Sequence, residues 1–270
     1  MPIQHITSRQ NARVKEAVKL RQRRARERAS RFVIDGAREI LRAIAAGVEL
    51  IEAYACEPLC VSDEARQAAA ALNSSRALVA TVTPEVFEKL CFGDGRDGLV
   101  AVAATPQRTL DQLALRAAPL VAVIEGVEKP GNVGAIMRSA DGAGVDAVIV
   151  ADPRTDLFNP NTVRASLGTV FGPGVCTAST AETFAWLKVL GIPVFAAKPQ
   201  ATLAYTEADY RGGAVIVLGS EAEGLSAAWQ GVGVTPISLP MRGIADSLNV
   251  SATAAVLFYE AQRQRGLTGA

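Results

Sequence analysis

The chain has one histidine in 270 residues, His5, near its N-terminus. Ser-His-Asp and Cys-His nucleophile systems need an imidazole beside the nucleophile, so they are excluded together with histidine-ligated metals. The four cysteines, Cys56, Cys60, Cys91 and Cys176, form no C-x-x-C pair and no framework spacing. That argues against a zinc site or a disulfide scaffold and for buried thiols. No uncharged apolar run reaches the roughly 18 residues a bilayer span requires, and the first segment has no apolar block of signal-peptide type. A cytoplasmic protein without membrane contact is expected. A hydrophobic content of 49% with 20% charge is ample for one large or two modest folded domains.

Charge is present in balance but not in even distribution. Met1 to Arg31 holds ten Lys or Arg, among them Arg9, Arg21, Arg23 and Arg24, against Glu16 and Glu27. This local excess of eight, in a chain of net charge +1, leaves the remainder near −7. A basic arm on a mildly acidic body suggests a phosphate-bearing partner, and a solvated charge-rich helix would read the same way.

After the arm, short apolar runs alternate with helical stretches. "RFVIDG", "LIEAYAC", "ALVATV" and "LVAVAAT" carry the strand signature. Helices are expected from Ala37 up to a stop at Gly47, over Ser62–Leu72, and over Pro84–Leu90 behind a Thr83–Pro84 start. The proline-bounded stretch Pro106 to Pro119 is weakly patterned and reads as a linker. A second alternation follows, with "LVAVIEG", "DAVIVAD", "IPVFAAK", "AVIVLGS" and "VTPISLP" as near-continuous valine- and isoleucine-rich runs. Strands of that kind are buried on both faces, which implies a mainly parallel sheet between helical layers. The expected organisation is an arm over 1–31, a small α/β domain over 32–105, a linker over 106–119 and a larger α/β domain over 120–270.

Gly93 to Gly98, "GDGRDG", satisfies the G-x-G-x-x-G pattern by letter. A dinucleotide site needs a strand before that loop and a helix after it, and here the order is reversed, so a turn is expected. Three other segments fall just past expected strand ends, where ligands of open α/β sheets bind. In "EGVEKPGNVGAIMRSADGAG" a glycine- and proline-rich loop leads to a helix starting near Asn132, with Arg138 six residues on. A cap amide and a guanidinium near a helix N-terminus suit an anionic group. In "VLGSEAEGLS", Gly219 and Gly224 bracket Glu221 and Glu223. In "ISLPMRGIADSLNVSATAAVLFYEA" an Asp-Ser pair is the expected helix cap, yet Ser247, Asn249 and Ser251 alternate with Leu248 and Val250 where burial should begin.

Taken in order, N-x-G-A-I-x-R at Asn132–Arg138, G-S-E-x-E-G-L-S at Gly219–Ser226 and P-M…S-L-N-V-S at Pro240–Ser251 resemble the SpoU (TrmH-like) family of RNA ribose 2′-O-methyltransferases. The likeness runs from about Leu120 onward. The N-terminal part is similar in layout, more loosely, to the small RNA-binding domain of ribosomal-RNA-modifying members. The resemblance implies an α/β fold of the SPOUT class with a knotted C-terminal methyltransferase domain, S-adenosylmethionine as cofactor, and a homodimer with the active site at the subunit interface. It implies cofactor contacts from Leu218, Gly219, Ile237, Leu239, Leu248 and Asn249. It assigns reaction roles to Arg138, Asn132, Glu221, Ser247 and Asn249, with Ser251 open between site and cap. The expected substrate is ribosomal RNA, 23S rRNA first. A transfer-RNA methyltransferase or a non-catalytic RNA-binding assembly factor are the alternatives. Arg9, Arg21, Arg23 and Arg24 are the expected RNA contacts.

Overall fold

Residues 4–93, 97–231 and 233–266 are described by the computed structural model. Residues 94–96 of the Gly93 to Gly98 pattern lie outside them. The chain forms two compact units, one of Met1–Pro106 with Phe158–Gly172, the other of Gln107–Leu157 with Pro173–Ala270. Among the described residues no helix is long and apolar enough to cross a membrane.

The first unit contains β1 (Gln4–Ile6), α1 (Ala12–Lys19), α2 (Arg23–Ala29), β2 (Arg31–Asp35), α3 (Ala37–Ala45), β3 (Leu50–Ala55), α4 (Asp63–Asn73), β4 (Leu78–Val82), α5 (Pro84–Leu90) and β5 (Leu99–Ala104). Its sheet runs β1-β4-β3-β5-β2, with β5 antiparallel to both neighbours and the other pairs parallel. Helix starts follow side-chain capping: Ser62 Oγ accepts from the Ala65 N–H at 3.0 Å and Asn11 Oδ1 from the Arg13 N–H at 2.9 Å.

The expected basic arm is not a separate element. Ile6 pairs with Val82 in the sheet, and Val14, Ala17 and Leu20 are buried in the same core as Val86, Phe87 and Leu90. Helical spacing hides that apolar stripe beneath the charges. Arg26 is 3% exposed, and its guanidinium donates to the Leu20 and Arg21 carbonyls, both at 2.8 Å, closing the end of α1.

The chain continues through β6 (Leu120–Glu125), α6 (Pro130–Gly142), β7 (Ala147–Ala151), α7 (Pro160–Ala165), β8 (Val175–Ala178), α8 (Thr180–Leu190), β9 (Val194–Ala197), β10 (Leu203–Ala204), β11 (Ala214–Leu218), β12 (Val234–Ser238) and α9 (Val250–Gln264). All of these except α7 belong to the second unit, whose seven strands run β10-β12-β9-β11-β6-β7-β8 with every pair parallel. Every residue of β6, β7 and β11 is buried, as continuous apolar runs require. Helices α6 and α9 run side by side in the same direction, since Asn249 donates to Asn132 at one end and Gln262 to the Ala143 carbonyl at the other.

Two expected boundaries are displaced. The stretch read as a linker joins the second unit, where Leu110, Leu113 and Leu115 pack on its core and Thr109 with Gln112 forms a capping box. Three leucines among polar residues suffice for one covering turn without helical or strand periodicity. Phe158–Gly172 folds instead into the first unit. There Phe32 meets Phe158 and Phe171 at ring-centroid distances of 4.6 and 5.8 Å, and Arg42 donates to the Leu167 carbonyl at 2.6 Å.

The carboxyl ends of the parallel strands share one edge, and a buried acid organises it. Glu125, the last residue of β6, is 6% exposed. Its Oε1 accepts from Thr180 Oγ1 at 2.8 Å, Ser226 Oγ at 2.8 Å and Trp229 Nε1 at 2.9 Å, while Oε2 accepts from the Ser226 N–H at 2.7 Å. Burial pushes the carboxyl up, but the Ser226 N–H with the Thr180, Trp229 and Ser226 side-chain donors outweighs it and holds Glu125 below the usual carboxylate value of 4.5.

Two stability measurements follow from this packing. Phe171→Ala should cost roughly 3–5 kcal/mol in chemical denaturation, as for other buried aromatic truncations. A loss under about 1 kcal/mol would show that the returning segment is not part of that core. Glu125→Gln should cost about 2 kcal/mol at neutral pH, because the amide must point N–H at a donor on one side or the other. A depressed pKa contributes stability above the unfolded value that is lost as pH falls through the folded one. The gap between wild type and variant should therefore close only below the ordinary carboxylate range, and a pH-independent gap would contradict an ionised Glu125.

Candidate functional site

Beyond β11 the chain turns back on itself at Gly219. A Cβ there would lie 2.3 Å from the Gly224 carbonyl carbon, so only glycine permits the approach. Ser220 and Gly224 pair across the turn, with N–H to carbonyl distances of 3.2 and 3.0 Å, and Gly224 adopts φ +68°. Ser220 Oγ accepts from the Glu223 N–H at 3.1 Å. The loop is thus closed at its root, pinned at Ser226 by Glu125, and displays Glu221 and Glu223 between.

Beyond β12 the segment 239–249 runs without regular structure into α9, and its cap is Asn249 rather than the expected Asp-Ser pair. Asn249 Oδ1 accepts from the Ser251 N–H at 2.9 Å and from Ser251 Oγ at 2.6 Å, which gives Ser251 to the cap. With Oδ1 so engaged, the Asn249 amide nitrogen faces outward. It donates to Asn132 Oδ1 at 3.3 Å, and Asn132 Nδ2 in turn donates to Glu221 Oε1. Each of the three motifs therefore contributes one member to a continuous Asn249–Asn132–Glu221 chain. Asn132 is not the cap expected for α6. Lys129 holds that position and Pro130 the first turn, which leaves the Asn132 side chain free for Glu221.

Arg138 stands apart from this chain. It is exposed on α6 and its side chain bonds to no described residue. Arg154, in the loop after β7, was not marked by the sequence. It bridges Glu128 at 2.7 Å and Glu223, joining the loop before α6 to the loop after β11.

A cavity of about 360 Å³ opens beside these loops. Leu218, Gly219, Ile237, Leu239 and Leu248 all line it, as do Glu221 and Ser247, whereas Asn249 does not. Leu218 and Ile237 are buried and offer an apolar floor. The tight turn at Gly219 brings backbone amides to the wall, and charged groups sit around the rim. An apolar slot with exposed backbone and a charged rim fits a group with a flat heteroaromatic base at one end and an ionic end opposite, which is the make-up of S-adenosylmethionine. Lys198 and Asp246 also line the cavity and were missed by the sequence reading. Lys198 ends the strand read as "IPVFAAK", so the strand-end rule that selected the other segments could have found it.

The four arginines expected to touch RNA have unequal freedom. Arg21 donates to the Lys89 and Cys91 carbonyls at 2.7 Å each, and Arg9 to the Glu85 carbonyl at 2.6 Å and to Glu88. Arg23 pairs with Glu27 one turn on. Arg24 is exposed and its side chain bonds to no described residue.

Residues 119–259 match the SpoU rRNA Methylase family, and residues 11–101 match the MRM3-like substrate binding domain. The chain is similar to the 23S rRNA (uridine(2479)-2'-O)-methyltransferase of Streptomyces viridochromogenes, with 31% identity over 268 residues covering 96% of this chain and 92% of that protein. It is also similar to the 23S rRNA (guanosine(2553)-2'-O)-methyltransferase RlmP of Bacillus subtilis, 27% identical, covering 95% of this chain and 98% of that one. Among solved structures, an RNA 2'-O ribose methyltransferase superposes with TM-score 0.84 at 44% identity, covering 97% and 99% of the two chains. The SpoU methyltransferase AviRb of Streptomyces viridochromogenes, in complex with the cofactor AdoMet, gives TM-score 0.86 at 28% identity, covering 97% and 100%. With residues 119–259, more than half of the chain, matched and all three motif segments gathered at one sheet edge, the chain belongs to the SpoU rRNA methylase family.

Proposed function

We propose that the protein transfers a methyl group from S-adenosylmethionine to a ribose 2′-hydroxyl of ribosomal RNA, at the cavity between the 219–226 loop and the 239–249 segment. The observation that carries the reading is the Asn249–Asn132–Glu221 chain, which joins one residue from each motif beside an apolar cavity. The named relatives act on 23S rRNA, which makes that molecule the first substrate to test and the cytoplasm the compartment.

The cofactor supplies an activated methyl group on a sulfonium. Leu218, Ile237, Leu239 and Leu248 hold its apolar part, and Gly219 lets the backbone approach. Asn132 and Asn249 fix Glu221, so its carboxylate faces the cavity in one orientation and is matched to a cationic centre. Ser247, exposed on the cavity rim, has a hydroxyl to offer the ribose. A guanidinium keeps its proton at neutral pH and is no base there. Arg138 therefore acts as a fixed positive charge, binding a substrate phosphate and stabilising the oxygen as it loses its proton. Two copies pair so that the Arg138 of one completes the site of the other. In support, the Arg138 side chain bonds to no described residue, and Met241, Ile244, Leu248 and Tyr259 are exposed apolar residues on the 239–249 segment and α9. The knot implied by the family is consistent with a sheet in which β11 is inserted between β6 and β9 and β12 between β9 and β10.

In the first unit, RNA phosphates are held by Arg24 and its exposed neighbour Arg28 rather than by Arg9 and Arg21, which are engaged within their own chain. The double replacement of Arg24 and Arg28 by Gln should reduce the slope of log affinity against log salt by roughly 1–2. An unchanged slope would remove these residues from the interface.

The central test is transfer of labelled methyl from S-adenosylmethionine to ribosomal and transfer RNA from cells lacking the protein, with ribose methylation mapped by nucleotide. One new 2′-O-methyl position in rRNA is expected. Transfer to tRNA alone, or none to either, would overturn the assignment. Arg138→Ala and Asn132→Ala should each lower turnover by roughly 100-fold or more, and full activity in either would exclude that residue from the reaction.

A further inference from the structure

Electrostatics of the cavity single out one residue that the motifs do not contain. Among the described residues lining it, three are acids, Glu221, Glu223 and Asp246, and Lys198 is the only cation. Glu221 is held by Asn132 and Glu223 by Arg154. Lys198 follows directly on β9, and its N–H donates to the Ile237 carbonyl at 2.8 Å, so its root is fixed to the neighbouring strand. Its ammonium is bonded to no described residue, although the side chain is half-buried and acids line the same cavity. An adjoining recess of about 290 Å³, which Lys198 also borders with Trp229 and Gln230, has no acid among its described lining residues. A lysine that lines a cavity, with its ammonium paired to no described residue, is placed to receive an anion there.

S-adenosylmethionine carries two positive groups, its sulfonium and its α-ammonium, and one negative group, its α-carboxylate. Lys198 repels the first two and attracts the third. We infer that Lys198 binds the α-carboxylate of the cofactor and thereby sets which end of the cavity takes the methionyl tail. The inference rests on the cavity being the cofactor site. An ion pair at a partly buried position, with a hydrogen bond to a charged group, corresponds to roughly ten-fold in affinity.

Titration calorimetry with two ligands tests it: S-adenosylmethionine and its decarboxylated form, which keeps the adenosyl group, sulfonium and ammonium but lacks the carboxylate. Wild type should bind the carboxylated ligand roughly ten-fold more tightly. Lys198→Met should lose that preference by weakening only the carboxylated ligand, and Lys198→Arg should retain it. Equal weakening of both ligands would show a merely structural lysine and overturn the inference. So would an unchanged preference in Lys198→Met, or no preference in wild type. Wild type that binds neither ligand would refute the cofactor site itself, an outcome distinct from all of these.

Discussion

An ionised carboxylate taken out of water is tolerated only where hydrogen-bond donors replace the hydration it loses. Glu125 meets that condition with four hydrogen bonds, and the donors come from two segments that follow different strands. Thr180 opens α8, and Ser226 and Trp229 follow the 219–226 loop. Once β6 is placed at the centre of the sheet, satisfying this one acid dictates where those segments lie. The loop carrying Glu221 is consequently anchored at Ser226, a short distance from the residue it must present. Its other end is closed by the Gly219–Gly224 approach and the Ser220–Gly224 pair, so neither end can move without breaking hydrogen bonds.

A parallel sheet makes this economy possible. All seven strands of the second unit point the same way, so the loops after β6, β7, β9, β11 and β12 converge on one edge without special folding. Parallel alignment of α6 and α9 then places their N-termini together, which brings Asn132 beside Asn249. Backbone geometry accounts for the meeting of the three motifs, while the side chains add only the final amide and carboxylate contacts.

Much of this was legible in the residues, and the failures have physical causes. The strands β6, β7, β9 and β11 announce themselves as uninterrupted apolar runs because both faces are covered, whereas β12, with Thr235 and Pro236 exposed, shows itself less plainly. Edge strands β1 and β8 are three and four residues long and carry polar side chains, so no such run exists in "QHI" or "VCTA", and β10 is only two residues long. The basic segment misled through net charge, which counts guanidinium groups without asking where they point. Arg26 is buried as a helix stop and the half-buried Arg21 clasps α5, tasks that suit arginine because its long fork reaches several carbonyls. The return of Phe158–Gly172 to the first unit was not legible at all, since the aromatic partners Phe32, Phe158 and Phe171 are far apart in sequence. At the site, motif spacing marked Asn132, Glu221 and Asn249. It could not mark Glu125, Arg154 or Lys198, whose meaning lies in partners contributed by other strand ends.

The site also constrains the chemistry by what it contains. Its side chains are amides, hydroxyls, carboxylates, one ammonium and a separate guanidinium, and the sole histidine pairs with Thr81 in the first unit. Imidazole, whose ordinary range suits proton transfer near neutrality, is not among the described residues that line the cavity. Rate enhancement must then come chiefly from alignment and fixed charge rather than from a tuned proton acceptor. Such a mechanism demands that the aligning groups not drift, because misplacement by about 1 Å forfeits much of the gain. The buried lock at Glu125, the glycine closure at Gly219 and the capped start of α9 are the features that meet this demand. Under the proposed reaction the rigidity of the edge therefore serves catalysis, although none of those three groups needs to touch the substrate.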